Sequence, residues 1–299
     1  MNLWNNRNFT PMLLNEEFKP FDSDEYLFEL KYDGIRALIF ADDKEVYIES
    51  RNRNDLTMLF PELQKIKDGC DKKTIFDGEI ICLEDGKPSF KNVQKRVHLK
   101  NINKIKEEMD SNPAVFMVFD VLFYDGTDLT SLDLIKRKKV LNKFKDNEVF
   151  VKSKAVEKEG IKLFKFVKKE GLEGIVAKRK DGKYYINERT SEFIKIKNIQ
   201  RDEYYIGGYI EKENVLSLIL VTYDNKKYIY AGKVIVGKKQ IISKVLLKEK
   251  RVKNYLADFE EEAIFIKPRI ICFIEYLEKT KNGHLRHPVF KGVKDINYE

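Results

Sequence analysis

The amino-acid sequence predicts an α+β fold built from two successive domains. Of the 299 residues, 42% are hydrophobic and 35% are charged, which is typical of a soluble globular protein with a sizeable core. Residues 1–200 mix β-branched and aromatic runs with helical stretches, whereas residues 201–299 contain short strands separated by turns. This change of pattern predicts a domain boundary near residue 200.

The first domain alternates predicted strands with predicted helices. Apolar runs indicate strands at YLFELK (26–31), IRALIF (35–40), VYIES (46–50), TIFDGEIICL (74–83), VFMVFDVLF (115–123), EGIVAKR (173–179) and EFIKIKN (192–198). Apolar residues at helical spacing indicate helices at FPELQKI (60–66), INKIKEEM (102–109), SLDLIKRKKVLNKF (131–144) and GIKLFKFVKKE (160–170). We therefore expect an α+β domain over residues 1–200.

The second domain contains about five strands and one helix in about 99 residues, which fits a small β-barrel of the oligonucleotide-binding kind, the OB-fold. Four of these strands are predicted at EYYIGGYI (203–210), VLSLILVTY (215–223), KYIYAGKVI (227–235) and PRIICFIEYL (268–277), and the helix lies within KKQIISKVLLKEK (238–250). Periodicity makes this architecture possible without establishing it.

The rarer residues narrow the chemistry. Cys70, Cys82 and Cys272 lie far apart, and neither they nor the three histidines show the spacing of a disulfide framework or a zinc site. No run approaches the roughly 18 apolar residues of a membrane span, and the start MNLWNNRNFT does not resemble a signal peptide. We expect a cytoplasmic protein that does not bind membranes and whose chemistry uses lysine, arginine and carboxylates.

The charge balance favours a polyanionic partner. The net charge is +8, and residues 201–299 carry 19 basic and 14 acidic residues, a net +5. Such a surplus suits nucleic acid. A lysine-rich solvated surface explains the charge equally well.

One lysine follows an apolar strand pattern and precedes a turn: Lys31, within ELKYDG. Such a lysine either points to solvent or faces a cleft, where desolvation and nearby cations lower its pKa and leave an amine able to attack an electrophile. Spacing alone does not decide between the two.

Further charged and aromatic residues recur at strand positions. Glu79 shares a strand face with Asp77, Phe119 precedes Asp120, and Glu173 stands at a strand start. Lys195 and Lys197 lie on one face of another strand because side chains alternate along it. Each has an ordinary explanation as core or solvated surface, but all of them in this order call for a common one.

In that order the segments resemble motifs I, III, IIIa, IV and V of the covalent nucleotidyltransferases, which include ATP-dependent DNA ligases, RNA ligases and mRNA capping enzymes. ESRNRND (49–55) resembles the extra arginine motif between the first two. LKYDGIRA, FPEL, DGEIICLEDGKPSF, EGIVAKR and LRHPVFKG are most similar to bacterial ATP-dependent DNA ligases related to ligase D. This resemblance implies an adenylation domain of antiparallel sheets with helices over residues 1–200, followed by an OB-fold domain over residues 201–299.

The resemblance also implies a mechanism. Lys31 attacks the α-phosphate of ATP to form lysyl-AMP, AMP passes to the 5′-phosphate of a DNA nick, and the 3′-hydroxyl displaces it. Lys195 and Lys197 neutralise the α-phosphate and, with a metal ion, depress the pKa of Lys31. Glu79 and Glu173 match metal-linked positions for Mg²⁺ or Mn²⁺, and Glu79 alternatively holds the ribose.

The remaining implied ATP contacts surround the nucleoside. Phe119 stacks on the adenine, and Glu29 lies at the edge of the base. The family arginines near ribose or phosphate are matched by Arg36, Arg51 and Arg189.

The last barrel motif departs from the family. It usually reads Arg-x-Asp-Lys, whereas this tail reads KGVKDINYE, in which only Lys294 and Asp295 correspond. Lys294 therefore remains only a possible participant.

The expected substrate is nicked double-stranded DNA, and the expected oligomeric state is a monomer. A Ku-like end-binding protein is a further candidate partner. The sequence leaves open whether the pathway is end joining, repair or replication. Three alternatives remain: an RNA ligase, a capping enzyme that uses GTP, and a nucleic-acid-binding protein without turnover.

Overall fold

The computed structural model describes residues 3–17, 19–212, 215–237, 241–246, 248–256, 259–280 and 282–294. Contacts divide the chain into two units, residues 1–198 and residues 199–299. No helix in these described segments combines the length and the apolar composition needed to cross a membrane.

Unit 1 (residues 1–198) combines strands with four α-helices and two 3₁₀ helices among its described residues. Its strands are β1 (Leu13–Glu17), β2 (Ser23–Leu30), β3 (Ile35–Ala41), β4 (Val46–Ser50), β5 (Thr74–Glu84), β6 (Lys87–Pro88), β7 (Ala114–Tyr124), β8 (Thr127–Asp128), β9 (Phe150–Lys152), β10 (Ala155–Lys158), β11 (Gly174–Arg179) and β12 (Arg189–Lys197). Its helices are the 3₁₀ helices Thr57–Leu59 and Pro61–Gly69, and α1 (Phe90–Val97), α2 (Ile102–Ser111), α3 (Leu134–Leu141) and α4 (Gly160–Glu170).

Two sheets organise unit 1. One has five strands in the order β1-β12-β11-β2-β10, antiparallel except for the parallel pair β1–β12. The other has the path β4-β3-β5-β7-β8, with β6 beside β5 and β9 beside β7. The α+β class predicted from the sequence is confirmed.

Burial on both faces explains the long apolar runs. Leu38 and Phe40 of β3 belong to a core that also contains Leu27 and Phe193 of the five-stranded sheet. Ile39, between them, points into a separate core with the 3₁₀ helix and α1. Because a strand buried on both faces needs apolar residues at successive positions, β3 reads as a continuous run.

The helices are fixed at their ends and by buried charges. The Asn101 side chain accepts hydrogen bonds from the first backbone N–H groups of α2, and α4 ends at Gly171 with a φ of 66°. Arg96 of α1 is fully buried and lies 2.8 Å from the Glu62 carboxylate. Arg137 of α3 makes a 2.8 Å ion pair with Asp120 of β7, and both side chains are fully buried. The Arg137–Asp120 pair thus fixes α3 to β7, and the Arg96–Glu62 pair fixes α1 to the 3₁₀ helix Pro61–Gly69.

Unit 2 (residues 199–299) is a curled sheet of the OB-fold kind. Its strands are β13 (Gln200–Lys212), β14 (Val215–Asp224), β15 (Lys227–Gly237), β16 (Arg251–Val252), β17 (Ile264–Ile266), β18 (Ile271–Tyr276), β19 (Glu278–Lys279), β20 (Leu285–Arg286) and β21 (Val289–Val293), with α5 (Ile241–Leu246) between β15 and β16. The helix predicted within residues 238–250 is described only over 241–246.

The strand β13 curls the unit because it changes partner along its length. Residues 200–205 pair with β18, whereas Gly208 and Tyr209 pair with β17. A Cβ atom at Gly208 would lie 2.6 Å from the Ile264 carbonyl oxygen, so the close approach requires glycine. Lys294, at the end of the described chain, lies 2.9 Å from the Glu203 carboxylate, and Asp295 lies outside the described residues.

Candidate active site

A cavity of about 580 Å³ opens in unit 1 where β2, β3, β5, β11 and β12 converge. It is lined by all ten residues that the sequence assigned to catalysis, nucleotide binding or metal binding: Glu29, Lys31, Arg36, Arg51, Glu79, Phe119, Glu173, Arg189, Lys195 and Lys197. Residues separated by up to about 170 positions in the sequence thus share one cavity. Its volume falls within the range of sites that hold drug-sized ligands.

Lys31 lies directly after β2, among acidic side chains. Its Nζ is 2.8 Å from the nearer Glu173 carboxylate oxygen, and its backbone N–H donates to the carbonyl of Gly174. Burial alone would lower the pKa of Lys31, but Glu173 and Glu79 outweigh it and raise this pKa above the usual lysine value. The carboxylates therefore raise the pKa of Lys31 in this structure, and the expected depression, which also depends on a metal ion, stays a prediction.

Glu79 is the second acid of the cavity. Burial is the main reason that its pKa rises to about 8, and Glu173 and Asp77 add to the effect, while Lys31 and Arg36 oppose it. A carboxyl group with such a raised pKa would be stabilised in its ionised form by a nearby cation. Two carboxylates are enough protein ligands for Mg²⁺, which keeps several of its waters. Glu79 and Glu173 therefore fit a divalent cation.

The guanidinium of Arg36 is held by hydrogen bonds to a buried carboxylate. Its Nε and Nη2 donate to the two oxygens of Asp77 at 3.0 and 2.7 Å, and the Tyr184 hydroxyl donates to Asp77 at 2.6 Å. Its Cζ lies 5.5 Å from the centre of the Phe119 ring. Asp77 and Tyr184, which the sequence analysis did not assign to the site, thus fix the guanidinium at the cavity wall.

Glu29 is buried between two lysines. One carboxylate oxygen accepts a hydrogen bond from Lys138 of α3, and the other accepts one from Lys178 of β11 at 2.9 Å. Burial lowers the pKa of Lys178 to about 8, despite the opposing effect of Glu29. The Nζ of Lys178 lies 4.0 Å from the centre of the Phe119 ring. Lys178, which the sequence analysis missed, therefore contacts both groups expected beside the adenine, Glu29 and Phe119.

The far wall carries the paired lysines. Lys195 and Lys197 lie 3.2 and 3.0 Å from the two oxygens of Glu16 on the neighbouring strand β1. Arg189, at the start of β12, is exposed and donates to the carbonyl of Leu14. Arg51 lies after β4, and its backbone N–H donates to the carbonyl of Arg36 at 3.0 Å.

Two family models match the chain: the ATP dependent DNA ligase domain over residues 10–197, and the ATP dependent DNA ligase C terminal region over residues 211–296. The chain belongs to the family of ATP-dependent DNA ligases. It is thus an enzyme that uses ATP, as predicted, and the comparisons do not favour an RNA ligase.

Relatives extend along the whole chain. The SPbeta prophage-derived DNA ligase-like protein LigB of Bacillus subtilis is 31% identical over 288 residues, which is 95% of this chain and 98% of LigB. The multifunctional non-homologous end joining protein LigD of Mycolicibacterium smegmatis is 27% identical over 96% of this chain. The matched part is only 38% of that LigD.

Solved structures agree with this assignment. A mycobacterial DNA ligase D complexed with ATP and MES has a TM-score of 0.59 and 25% identity, and covers 96% of this chain and 95% of that one. A Lig E DNA ligase has a TM-score of 0.65 and 18% identity, and covers 95% of this chain and 99% of its own. The second likeness supports the fold alone.

Proposed function

We propose that this ligase seals nicks in duplex DNA through a lysyl-AMP intermediate carried by Lys31. The observation that supports this most is the position of the Lys31 amine in a cavity shared with two acids and two lysines. In the first step the amine attacks the α-phosphorus of ATP, the bond to the bridging oxygen breaks, and pyrophosphate leaves.

Lys31 must lose a proton before it can attack, because an ammonium has no free electron pair. Glu173 accepts a hydrogen bond from Lys31 at 2.9 Å and would hold the amine in place while the proton passes to solvent. Lys195 and Lys197 would donate to the α-phosphate oxygens and stabilise the charge that develops there. In the second step the 5′-phosphate attacks lysyl-AMP, and the bond from phosphorus to Lys31 Nζ breaks. In the third step the 3′-hydroxyl attacks the adenylated 5′-phosphate, and AMP leaves.

Glu79 and Glu173 would hold Mg²⁺ or Mn²⁺. The cation would neutralise phosphate charge and oppose the ammonium form of Lys31. Phe119 would stack on the adenine with Glu29 at its edge, and the ribose and phosphates would meet Arg36, Arg51 and Arg189.

We further propose an adenylation domain over residues 1–200 and an OB-fold domain over residues 201–299. The division of contacts after residue 198 and the two family matches support these bounds. The family supports nicked DNA as substrate. We propose a Ku-like end-binding protein as partner because LigD is a protein of non-homologous end joining. We propose a monomer that acts in the cytoplasm, where bacterial DNA lies.

A label-transfer experiment tests the nucleophile. With α-labelled ATP and Mg²⁺, we expect label on the protein, none with α-labelled GTP, and loss of the label in Lys31→Ala. Lys44→Ala, an exposed lysine on the β3–β4 turn, is the matched control and should label normally. Label that persists in Lys31→Ala would show that another group is the nucleophile.

A second assay tests the substrate. The labelled enzyme should seal a nicked DNA duplex faster than the same nick in RNA. An equal or reversed preference would exclude the proposed substrate.

A further inference from the structure

Glu16 is a carboxylate outside the nucleotidyltransferase motifs that contacts two lysines of the cavity wall. It lies on β1, which pairs in parallel with β12 so that Glu16 stands opposite Lys195. Its two oxygens are divided between the lysines: Oε2 lies 3.2 Å from Lys195 Nζ, and Oε1 lies 3.0 Å from Lys197 Nζ. The three side chains are between 24% and 32% exposed, and the two lysines line the cavity.

The two lysines need such a partner. They lie two residues apart on one strand face, so their ammonium groups repel each other. A carboxylate between them draws both to one point and reduces their joint charge from +2 to +1. Burial raises the pKa of Glu16, but the hydrogen bonds and charges of Lys197 and Lys195 lower it overall, so Glu16 is an anion at neutral pH. Each ammonium has three N–H donors, and one bond to Glu16 leaves donors for a phosphate.

We propose that Glu16 is a positioning residue and an internal counter-anion: it aims Lys195 and Lys197 into the cavity and occupies them until the α-phosphate of ATP arrives. This inference rests on the proposed function, which gives the two lysines their phosphate. The described ion pairs of Glu16 are with the two lysines, so it would act through them.

Two opposite effects follow on the two kinetic parameters. A triphosphate must share the lysines with Glu16, so removing its charge should tighten ATP binding. The lysines would then repel each other and lose their fixed aim, so the chemical step should slow. A purely structural residue would not improve one parameter while it impairs the other.

The experiment measures single-turnover formation of labelled lysyl-AMP over a range of ATP concentrations. In Glu16→Gln we expect the rate constant at saturating ATP to fall about tenfold or more. We expect the ATP concentration at half-maximal rate to fall by up to about fivefold, the scale of one partly exposed ion pair. Glu17→Gln, an exposed glutamate of the same strand with its side chain on the opposite face, should change neither.

Glu16→Asp separates charge from reach. It keeps the charge but is one methylene shorter and cannot meet both lysines. The rate constant should therefore fall as in Glu16→Gln, while the half-saturating ATP concentration stays within about twofold of the original, since the charge that competes with ATP remains.

Failure of this inference is distinguishable from failure of the proposed function. If Glu16→Gln behaves like Glu17→Gln while the double substitution Lys195→Ala and Lys197→Ala lowers labelling, the role of Glu16 is wrong and that of the lysines stands. If the double substitution leaves labelling unchanged, the lysines do not serve the phosphate and the role of Glu16 fails with theirs, while lysyl-AMP formation on Lys31 stands. A Glu16→Gln enzyme that is slower and also needs more ATP would contradict the counter-anion.

Discussion

At the scale of single residues, the cavity wall contains charged side chains that are almost completely buried. Glu29 is 1% exposed and Lys178 is 3% exposed, so neither is stabilised by water. Each depends on the other, and Glu29 depends on Lys138 as well. Removing one member of such a group costs far more than the group contributes as a whole.

Glu29→Gln should therefore destabilise unit 1 by about 3 kcal/mol at pH 7, because Lys178 is left buried without its carboxylate. The folded variant should then hold Lys178 neutral, with a pKa below the wild-type value of about 8. The unfolded chain still binds that proton, so the free energy of unfolding of the variant should rise with pH from 7 to about 8. The difference in stability between the variant and the original protein should therefore become smaller over this range.

Urea unfolding at pH 7 and pH 8.5 measures this deficit. Glu25→Gln, an exposed glutamate on the same strand, should unfold like the original protein at both pH values. Equal stability of Glu29→Gln and the original at pH 7 would show that Lys178 does not need its counterion.

The contents of the cavity could be predicted from sequence, but its internal pairing could not. Motif order identified ten of the residues that line it. Glu16 and Lys138 were missed because each meets its partner only through the fold: Lys138 lies 109 positions from Glu29. Only the structure places Glu173 against the Lys31 amine, so the rise of the Lys31 pKa that this carboxylate causes against the effect of burial could not be predicted from the sequence.

At the scale of elements, the site depends on how closely β3 approaches β5. A Cβ atom at Gly34 would lie 2.2 Å from the Ile80 carbonyl oxygen and 2.9 Å from Ile81 Cγ2. Both obstacles belong to β5, the strand that carries Glu79. Any side chain at Gly34 would therefore push the strands apart between Lys31 and Glu79.

Gly34→Ala should lower the free energy of unfolding by about 1–3 kcal/mol, as overpacking does, and should reduce lysyl-AMP formation. Thermal unfolding and label transfer measure the two effects. Gly69→Ala is the control, because its Cβ would meet nothing within 4 Å. Normal labelling in Gly34→Ala would show that the spacing of the strands does not set the site.

The central strands and helices of unit 1 were predictable because burial on both faces leaves long apolar runs. β1 was missed, since LLNEE offers only two apolar residues and its partner β12 is distant in sequence. α1 was missed because one of its buried positions is Arg96, which a periodicity search counts as polar. The short strands β16, β17 and β21 of unit 2 gave no pattern long enough to detect.

At the scale of the whole molecule, the net charge of +8 governs the encounter with DNA. Basic groups that contact phosphates release counterions, so the affinity for DNA should fall steeply as the salt concentration rises and should vary little with the DNA sequence. For about six phosphate contacts, the affinity of Lys31→Ala for a nicked duplex should fall about 10³-fold between 50 and 200 mM KCl. This variant is used because the proposed mechanism predicts that it cannot turn the substrate over.

Titration of two nicked duplexes of different sequence, at several salt concentrations, measures this dependence. The two should give parallel lines of log Kd against log salt. A change below tenfold, or a strong preference for one sequence, would mean that base contacts dominate binding.

The parallel pairing of β1 with β12 has a consequence for the order of events during synthesis. Glu16 and Lys195 are about 180 positions apart, so the sheet that carries the lysines cannot close until nearly all of unit 1 has left the ribosome. Contacts between such distant positions form late, because the chain must first close a long loop. A nascent chain would thus gain its nucleotide pocket only after most of its strands are in place.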